Sequence, residues 1–453
     1  MNNQLSSFLA SVLCTACVLC AVRPAVSAQC IQTASGRLQA DGTPCNNTII
    51  TALPFLRIVP DARFGAMGDV GIAMPSDANS LHFNASNIAF AERDLSVSAT
   101  YTPWLRALGL TDVYLTHLSA YKNVDKFQTL ATSLRFFSLG QIQYTDEQGN
   151  SLQTVRPREL EFAFAYTRKL TNNFSTGLTL KYIYSNLGTG ATSSGDVLRP
   201  AHAFAADISF TYRQPLKLQN KRKANLTFGL ALTNIGNKIS YVQSANRDYL
   251  PAAMGLGTAF EYEIDDHNSI TFGLDISKLM VPTPVPSVLK EVNDIGDTVF
   301  VANPDYDTNG NGVPEYKELS VPSSIISSFG DASFGEELRE LMFSFGFEYW
   351  YNKQFAFRLG HYNEHKTKGN RKFVTVGLGL RYNVFCINFS YLIPTFNAQR
   401  NPLDNTLRFS LMVDIGQSKA SGKKPAPTPK DVTPSGGSDT KPEEKPAPED
   451  GGG

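Results

Sequence analysis

"NFSTGLTLKYIYSN", residues 173–186, alternates for more than ten positions. Phe174, Thr176, Leu178, Leu180, Tyr182 and Tyr184 form one row, and Ser175, Gly177, Thr179, Lys181 and Ser185 form the other. Ile183 is the one apolar residue in the polar row. Side chains two apart on a strand share a face, so the segment predicts a β-strand with one greasy and one polar side. The fold depends on whether protein or lipid covers the greasy side.

The pattern recurs along the chain. In "ELEFAFAYTR" Leu160, Phe162, Phe164 and Tyr166 alternate with Glu159, Glu161, Ala163 and Thr167. In "AFAADISFTYR" Phe204, Ile208, Phe210 and Tyr212 alternate with Asp207, Ser209, Thr211 and Arg213. "LRFSLMVDI" sets Leu407, Phe409, Leu411, Val413 and Ile415 against Arg408, Ser410 and Asp414. Each repeat runs for about ten residues, the length of a tilted membrane strand.

Fourteen such segments begin near Asp94, Thr111, Lys126, Arg158, Asn173, Pro200, Ala224, Pro251, Asn268, Leu341, Gln354, Arg371, Val384 and Thr406. Connections after odd strands are mostly long: 103–110, 139–157, 187–199, 234–250, 278–340, 362–370 and 394–405. Those after even strands are mostly short, as in "KNVD" at 122–125, "TNN" at 171–173, "YNK" at 351–353 and Asn383. Outer-membrane barrels have this asymmetry. Nothing obliges a soluble sandwich to sort its loops by parity, so the expected cover is lipid. The ionised residues of the polar rows imply an interior that is wet or salt-bridged. The fold class expected is an all-β, 14-stranded transmembrane antiparallel barrel.

Composition agrees. The 453 residues carry 41 basic and 41 acidic side chains, which gives no support to a nucleic-acid partner. Aromatic residues make up 11%. After the first thirty positions no 18-residue apolar run occurs, which excludes helical membrane spans. Residues 1–28 read as an export signal, with an apolar run at Phe8–Val22 and small residues at Val26-Ser27-Ala28, although no Lys or Arg precedes Phe8. Residues 29–92 form an N-terminal extension and plug, 93–416 the barrel, and 417–453 a Pro-, Lys- and Gly-rich disordered tail. Cys30 and Cys45 fit a disulfide, which would contribute ~3 kcal/mol by closing the loop, or two free thiols. Cys386 has no evident partner.

Residues 52–90 lack a sustained dyad pattern and are the candidate plug. Gly65, Gly68 and Gly71 stand at three-residue spacing, which suits close backbone approach. A phosphate-binding glycine loop would need a preceding strand and a following Lys-Ser/Thr, and both are missing. "PDARFGAMGDVGIA" (60–73), "PSDANS" (75–80), "YTPWLRALGLTDVYLTHLSAY" (101–121), "SLRFFSLG" (133–140), "EYWYNKQFAFRLGHYNEHKTKGNRKFVTVGLGLRYNVF" (348–385) and "SYLIPTFNAQRNPLDNTLRFSL" (390–411) carry a family likeness. They resemble the FadL-type outer-membrane transporters, and more closely the PorV (LptO) branch of the type IX secretion system of Bacteroidetes. The likeness runs from about Leu53 to Ile415. Asn84-Ala85-Ser86 stands where that branch has Asn-Pro-Ala, and Phe83 where a Trp is common.

The even strand count returns both termini to the periplasm, and the resemblance implies a carrier in the cell outer membrane. It would take secreted cargo proteins from the translocon by their C-terminal signal domains and pass them to a surface attachment complex containing a sortase-like peptidase. Plug residues on the matching blocks are Pro60, Asp61, Arg63, Gly65, Gly68, Gly71, Asp77 and Asn84. Pro103, Trp104, Leu105 and Leu108 lie in an expected outer loop. They are either an exposed cargo-binding face, or a loop folded into the barrel mouth or an interfacial aromatic anchor. The alternative function is a FadL-like channel for hydrophobic small molecules, gated by the plug.

No cofactor is expected, with one reservation in the loop 303–318. There Asp305, Asp307 and Asn309 followed by Gly310 match the first half of a calcium loop, with Glu315 nearby. A solvated acidic turn is the other reading. "FGEELREL", 334–341, reads as a short amphipathic helix. The six histidines, 82, 117, 202, 267, 361 and 365, sit in no catalytic motif, and no Ser-His pair stands out, so an enzyme is not expected.

Overall fold

In a computed structural model of the chain the alternating segments pair in sequence order into one closed antiparallel barrel of fourteen strands. The structure describes residues 48–416 apart from 107–108, 146–149, 191, 194–195, 219–221, 244–245, 286–287, 293–297 and 396–405, together with the backbone of 31–33 and 36–38. The expected export signal at 1–28, Cys30 and Cys45, Leu108 and the expected tail at 417–453 all lie outside the described residues.

The strands are β1 (Leu95–Pro103), β2 (Val113–Asn123), β3 (Gln128–Leu139), β4 (Arg158–Lys169), β5 (Phe174–Asn186), β6 (Ala201–Lys217) and β7 (Lys223–Gly236). Then come β8 (Ala253–Glu263), β9 (Asn268–Leu279), β10 (Met342–Tyr351), β11 (Phe355–Asn363), β12 (Lys372–Tyr382), β13 (Phe385–Pro394) and β14 (Thr406–Ile415). β14 closes on β1, with Ile415 opposite Leu95, so the barrel sheet has no unpaired edge. The connections sort by parity. Those after even strands, such as 124–127, 170–173 and 383–384, are tight; those after odd strands include 140–157, 237–252 and 280–341. A hairpin of Ile142–Thr145 with Ser151–Val155 belongs to a separate two-stranded sheet and adds nothing to the barrel count.

Burial inverts the order of a soluble protein. Leu178, Leu180, Phe162, Phe164, Phe204, Phe409 and Leu411 are exposed, whereas Glu159, Glu161, Lys181, Asp207, Arg408 and Asp414 are buried. That is the arrangement for a wall between hydrocarbon and a packed lumen. Ile183, the misfit in the opening stretch, points inward and joins an apolar cluster with Leu53, Phe55 and Leu56. Its row is polar because it faces the lumen, and it turns apolar at the position that meets an apolar part of the filling.

That filling is the segment 48–91, which threads the barrel lengthwise. Ile49 packs with Tyr249, Leu279, Val281 and Met342 at the long-loop end, and the Ala52 amide donates to the Tyr249 carbonyl at 2.8 Å. Ala78, Leu81, Ala85 and Ile88 pack with Tyr121, Ala131, Ala163 and Ala165 further along, before the chain enters β1 at the short-turn end. The two ends of the described barrel residues thus differ from the expectation that strand parity alone gave, while the termini themselves lie outside the described residues. The even strand count does bring Leu95 and Ile415 together. The segment before β1 then runs back through the lumen, so residue 48 and residue 416 leave the barrel at opposite ends.

Candidate functional site

The lumenal segment has little regular structure. It comprises a 3₁₀ turn at Pro54–Arg57, one helical turn at Ala62–Gly65 and 3₁₀ turns at Ala78–His82 and Ala85–Phe90. Irregular backbone at membrane depth survives only if its polar groups are satisfied by protein. Polar side chains of the wall do this. The Ala62 amide donates to Ser410 Oγ at 2.9 Å and the Gly68 amide to Thr375 Oγ1 at 2.8 Å. The Gly71 and Ile72 amides share Asp275 Oδ2 at 2.7 and 2.9 Å. Arg135 Nη1 donates to the carbonyls of Phe55, Leu56 and Ile58.

The predicted plug residues divide by role. Pro60 leads into the helical turn, which Asp61 caps by accepting from the Phe64 amide at 3.0 Å. Asp77 caps the next turn through a capping box with Ser80. Asn84 donates to the Ile72 carbonyl and to Thr211 Oγ1, both at 2.9 Å, and accepts from Ser86 Oγ at 2.6 Å. Ser86 also meets Thr211 Oγ1 at 2.7 Å, so the Asn-Ala-Ser variant of this turn is tied to β6 by its own hydroxyl. The glycines mark close approaches. A Cβ on Gly65 would lie 2.8 Å from Arg408 Nη1, and one on Gly71 2.4 Å from the Phe83 ring. Gly68 has φ +66° and stacks its backbone on that of β11.

Charge pairs cross from segment to wall. Arg63 donates twice to Glu348 on β10, at 2.9 and 3.0 Å, and also reaches Asp77 at 3.0 Å. Glu348 in turn accepts from Arg358 on β11 at 2.7 Å, and Arg358 donates to Asn388 at 2.9 Å. On the other wall Arg135, Glu161, Lys181 and Asp207 form a chain of contacts from 2.7 to 3.8 Å. A bulge in β6 and β7 swings Asn234, with φ +58°, into this chain to accept from Lys181 at 2.9 Å. Near the long-loop end Glu364 binds Arg371 and, on the lumenal segment, Arg57. Burial would raise the Glu364 carboxyl, but the Arg371 guanidinium, and then that of Arg57, hold it below its ordinary value. The sequence flagged the ionised inward rows but not these partners, since Arg63 and Glu348 are 285 positions apart.

Trp104 does not face outward. It is buried at the barrel mouth, with its ring edge-on to Phe137 at 6.3 Å, in the cluster that holds Leu53, Phe55 and Leu56. Its ring is folded into the mouth, and Pro103 and Leu105 are half-buried beside it, while Arg106 and Leu110 of the same loop are exposed. Trp104→Ala is therefore expected to cost about 3–5 kcal/mol of stability, read as a lower melting temperature in detergent. An unchanged melt would mean that the ring is not packed.

Exposed apolar residues of the long-loop end include Leu110 and Val197, and a group of them stands in the 280–341 connection. Helices α1 (Glu315–Glu318), α2 (Val321–Ser327) and α3 (Phe334–Arg339) form there; α3 is the amphipathic stretch expected from the sequence. Ile326 and Phe334 are 74% and 78% exposed, and Phe329 and Leu338 are exposed as well. Beneath α3 lies a buried charge cluster. Lys278 at the end of β9 contacts Glu337 and Glu340, while Lys368 binds Glu336 at 2.8 Å and Glu340 at 3.0 Å. The apolar residues therefore sit on a fixed platform.

In the 303–318 loop the side-chain oxygens turn inward on their own chain. Asp307 accepts from the amides of Asn311 and Gly312, Asn309 Oδ1 accepts from the Asn311 amide, and Glu315 accepts from Thr308. Asp305 is exposed in a turn. Among the described residues no three of His, Cys, Asp and Glu come together as metal ligands.

Residues 42–286 match the family model described as type IX secretion system protein PorV. The chain belongs to the PorV family. No curated protein sequence matches it. Among solved structures the PorV-family barrel described here is similar to the toluene transporter TodX of Pseudomonas putida, at 13% identity and TM-score 0.44, covering 78% of this chain and 97% of that one. It is also similar to a Pseudomonas aeruginosa FadL homologue, at 9% identity and TM-score 0.36, covering 81% and 99%. PorV-family membership and the closed barrel place the chain in the outer membrane as a type IX secretion component.

Proposed function

We propose that this barrel receives the C-terminal signal domains of secreted proteins at its long-loop end, outside the cell. It then carries them from the translocon to the surface attachment complex. The observation that carries this reading is the filled lumen. Segment and wall are joined by the ion pairs Arg63–Glu348 and Arg57–Glu364 and by side-chain hydrogen bonds along the barrel. Work on a large partner then falls to the loops. A conduit for hydrophobic small molecules would want an apolar path. The cavity beside the lumenal segment is instead lined by Arg57, Asp69, Lys181, Asp275 and Arg371 along with its apolar residues.

The docking face in this reading is the platform of α2 and α3, where large apolar side chains are exposed. The expected result for the Phe334→Ser/Leu338→Ser double variant is about tenfold weaker binding of an isolated C-terminal signal domain to the purified barrel, with an unchanged melting temperature. Equal binding would move the docking face elsewhere. For the function as a whole, gene deletion is expected to strand secreted proteins in the periplasm and to leave fatty-acid uptake normal. The reverse phenotype would favour the channel.

A further inference from the structure

The lipid-facing wall of β8–β12 is not uniformly convex. It contains an apolar cleft of about 570 Å³. Phe260, Phe272, Phe347 and Leu359 lie in register across four strands and form its border toward the short-turn end. The next tier is Thr258, Leu274, Phe345, His361 and Val374, also in register. Apart from the Thr258 hydroxyl and the His361 ring, no polar side chain contributes to the lining.

Between the two tiers the floor is bare backbone at Gly273, Gly346 and Gly360. The same glycines are held from the lumen side. A Cβ on Gly273 would strike Met74 Sδ at 2.5 Å, one on Gly346 would meet Met67 at 2.9 Å, and one on Gly360 would meet the Gly68 nitrogen at 1.9 Å. The wall there is one peptide layer thick, with the lumenal segment pressed against its back, so it cannot sag inward to close the cleft.

We propose that the cleft is a specific binding site for one acyl chain of a bilayer lipid. Its position in the strands determines the occupant. Residues 272–274 lie in the middle of β9, and 359–361 in the second half of β11, so the cleft is inside the hydrocarbon belt. Water gains nothing in a pocket with two polar side chains, and an empty pocket forfeits the dispersion contacts of its ring walls. A flexible hydrocarbon chain fits an irregular apolar slot and is already present around it. His361 stands two residues from the end of β11 at the long-loop side, which directs the headgroup to the leaflet on that side. Its ring then offers a hydrogen bond to an ester or phosphate oxygen.

The test uses the full chain purified in a mild detergent, with retained phospholipid and glycolipid counted by mass spectrometry. A Leu274→Phe/Val374→Phe double variant fills the cleft from the lipid side, away from the lumenal segment. Retained lipid is expected to fall about tenfold while the melting temperature of delipidated protein stays the same. A bulky substitution on the same face outside the cleft, Ala206→Phe, is expected to leave retention unchanged. Equal retention in all three proteins overturns the proposal, as does a cleft-filled variant that keeps its lipid but loses a co-purifying membrane protein, which would make the cleft a protein contact. Should the double variant fold poorly, Thr258→Phe alone, with spin-labelled phospholipid in reconstituted vesicles, gives the second reading. Loss of the motionally restricted lipid signal supports the site, and its persistence rejects it.

Discussion

A Gly360→Val barrel is expected to lose the seating of its lumenal segment. In the native wall a Cβ at this position would lie 1.9 Å from the Gly68 nitrogen and 2.0 Å from the Met67 carbonyl carbon. The obstacle is main chain, which no rotamer change can move aside. On the Gly68 side the backbone is already left-handed at φ +66° and its amide is bound to Thr375 Oγ1 at 2.8 Å, so backing away breaks a buried hydrogen bond. On the Gly360 side β11 is paired with β10 and β12 along its whole length. Overpacking of ordinary cores costs about 1–3 kcal/mol; with both faces pinned, the cost here is expected at or above the top of that range. The strands can still close around an unseated segment, so two readouts are needed. Melting in detergent should drop, and trypsin should cut at Arg63, which is buried in the native barrel. Gly330→Val is the control, because a Cβ there meets nothing within 4 Å. A Gly360→Val protein that melts normally and resists trypsin would show that the segment does not press on β11.

The barrel was legible because lipid enforces the rule that encodes it. A strand between hydrocarbon and a filled lumen tolerates few exceptions on its outer row, and the segment starts read from alternation fall within two residues of the strand ends found, as with Asp94 against Leu95 and Thr111 against Val113. Loop parity added an independent check. The three glycines at 65, 68 and 71 were legible for a similar reason, since close approach leaves no other residue type. The contents of the lumen were not. Glu348 reads as one more inward charge of β10, and its partners come from a segment about 285 positions away and from the neighbouring strand. Trp104 illustrates a second limit. A tryptophan in a loop is consistent with a docking face, an anchor or a ring folded into the mouth, and where the ring goes depends on Phe55 and Phe137 converging there. The direction of the lumenal segment was hidden as well, because strand parity constrains only the strands.

Replacing Glu348 with alanine is expected to be the most damaging change to a charged residue of the lumen. Its carboxylate is 1% exposed and holds two guanidiniums, Arg63 of the segment and Arg358 of β11, which are themselves buried. A buried ion pair contributes little net stability when it forms, because desolvation offsets the attraction. Removing one partner is different, since the other charge stays behind without its counterion, at a cost of about 3–5 kcal/mol. Glu348→Ala strands two such charges. Arg63 keeps Asp77, at 3.0 Å, and Arg358 keeps the Asn388 amide oxygen, at 2.9 Å, which limits the loss. Glu348→Gln retains the shape and one acceptor and should fall between. The double variant Arg63→Ala/Glu348→Ala removes the segment's charge along with its counterion, so its cost should be below the sum of the singles, by about 0.5–3 kcal/mol. If the single changes add, segment and wall are not coupled through this pair, and the seating must come from the glycine contacts and backbone hydrogen bonds alone. If they do not add, the ion pair fixes where along the lumen the segment sits, a task that apolar packing performs poorly because it tolerates sliding.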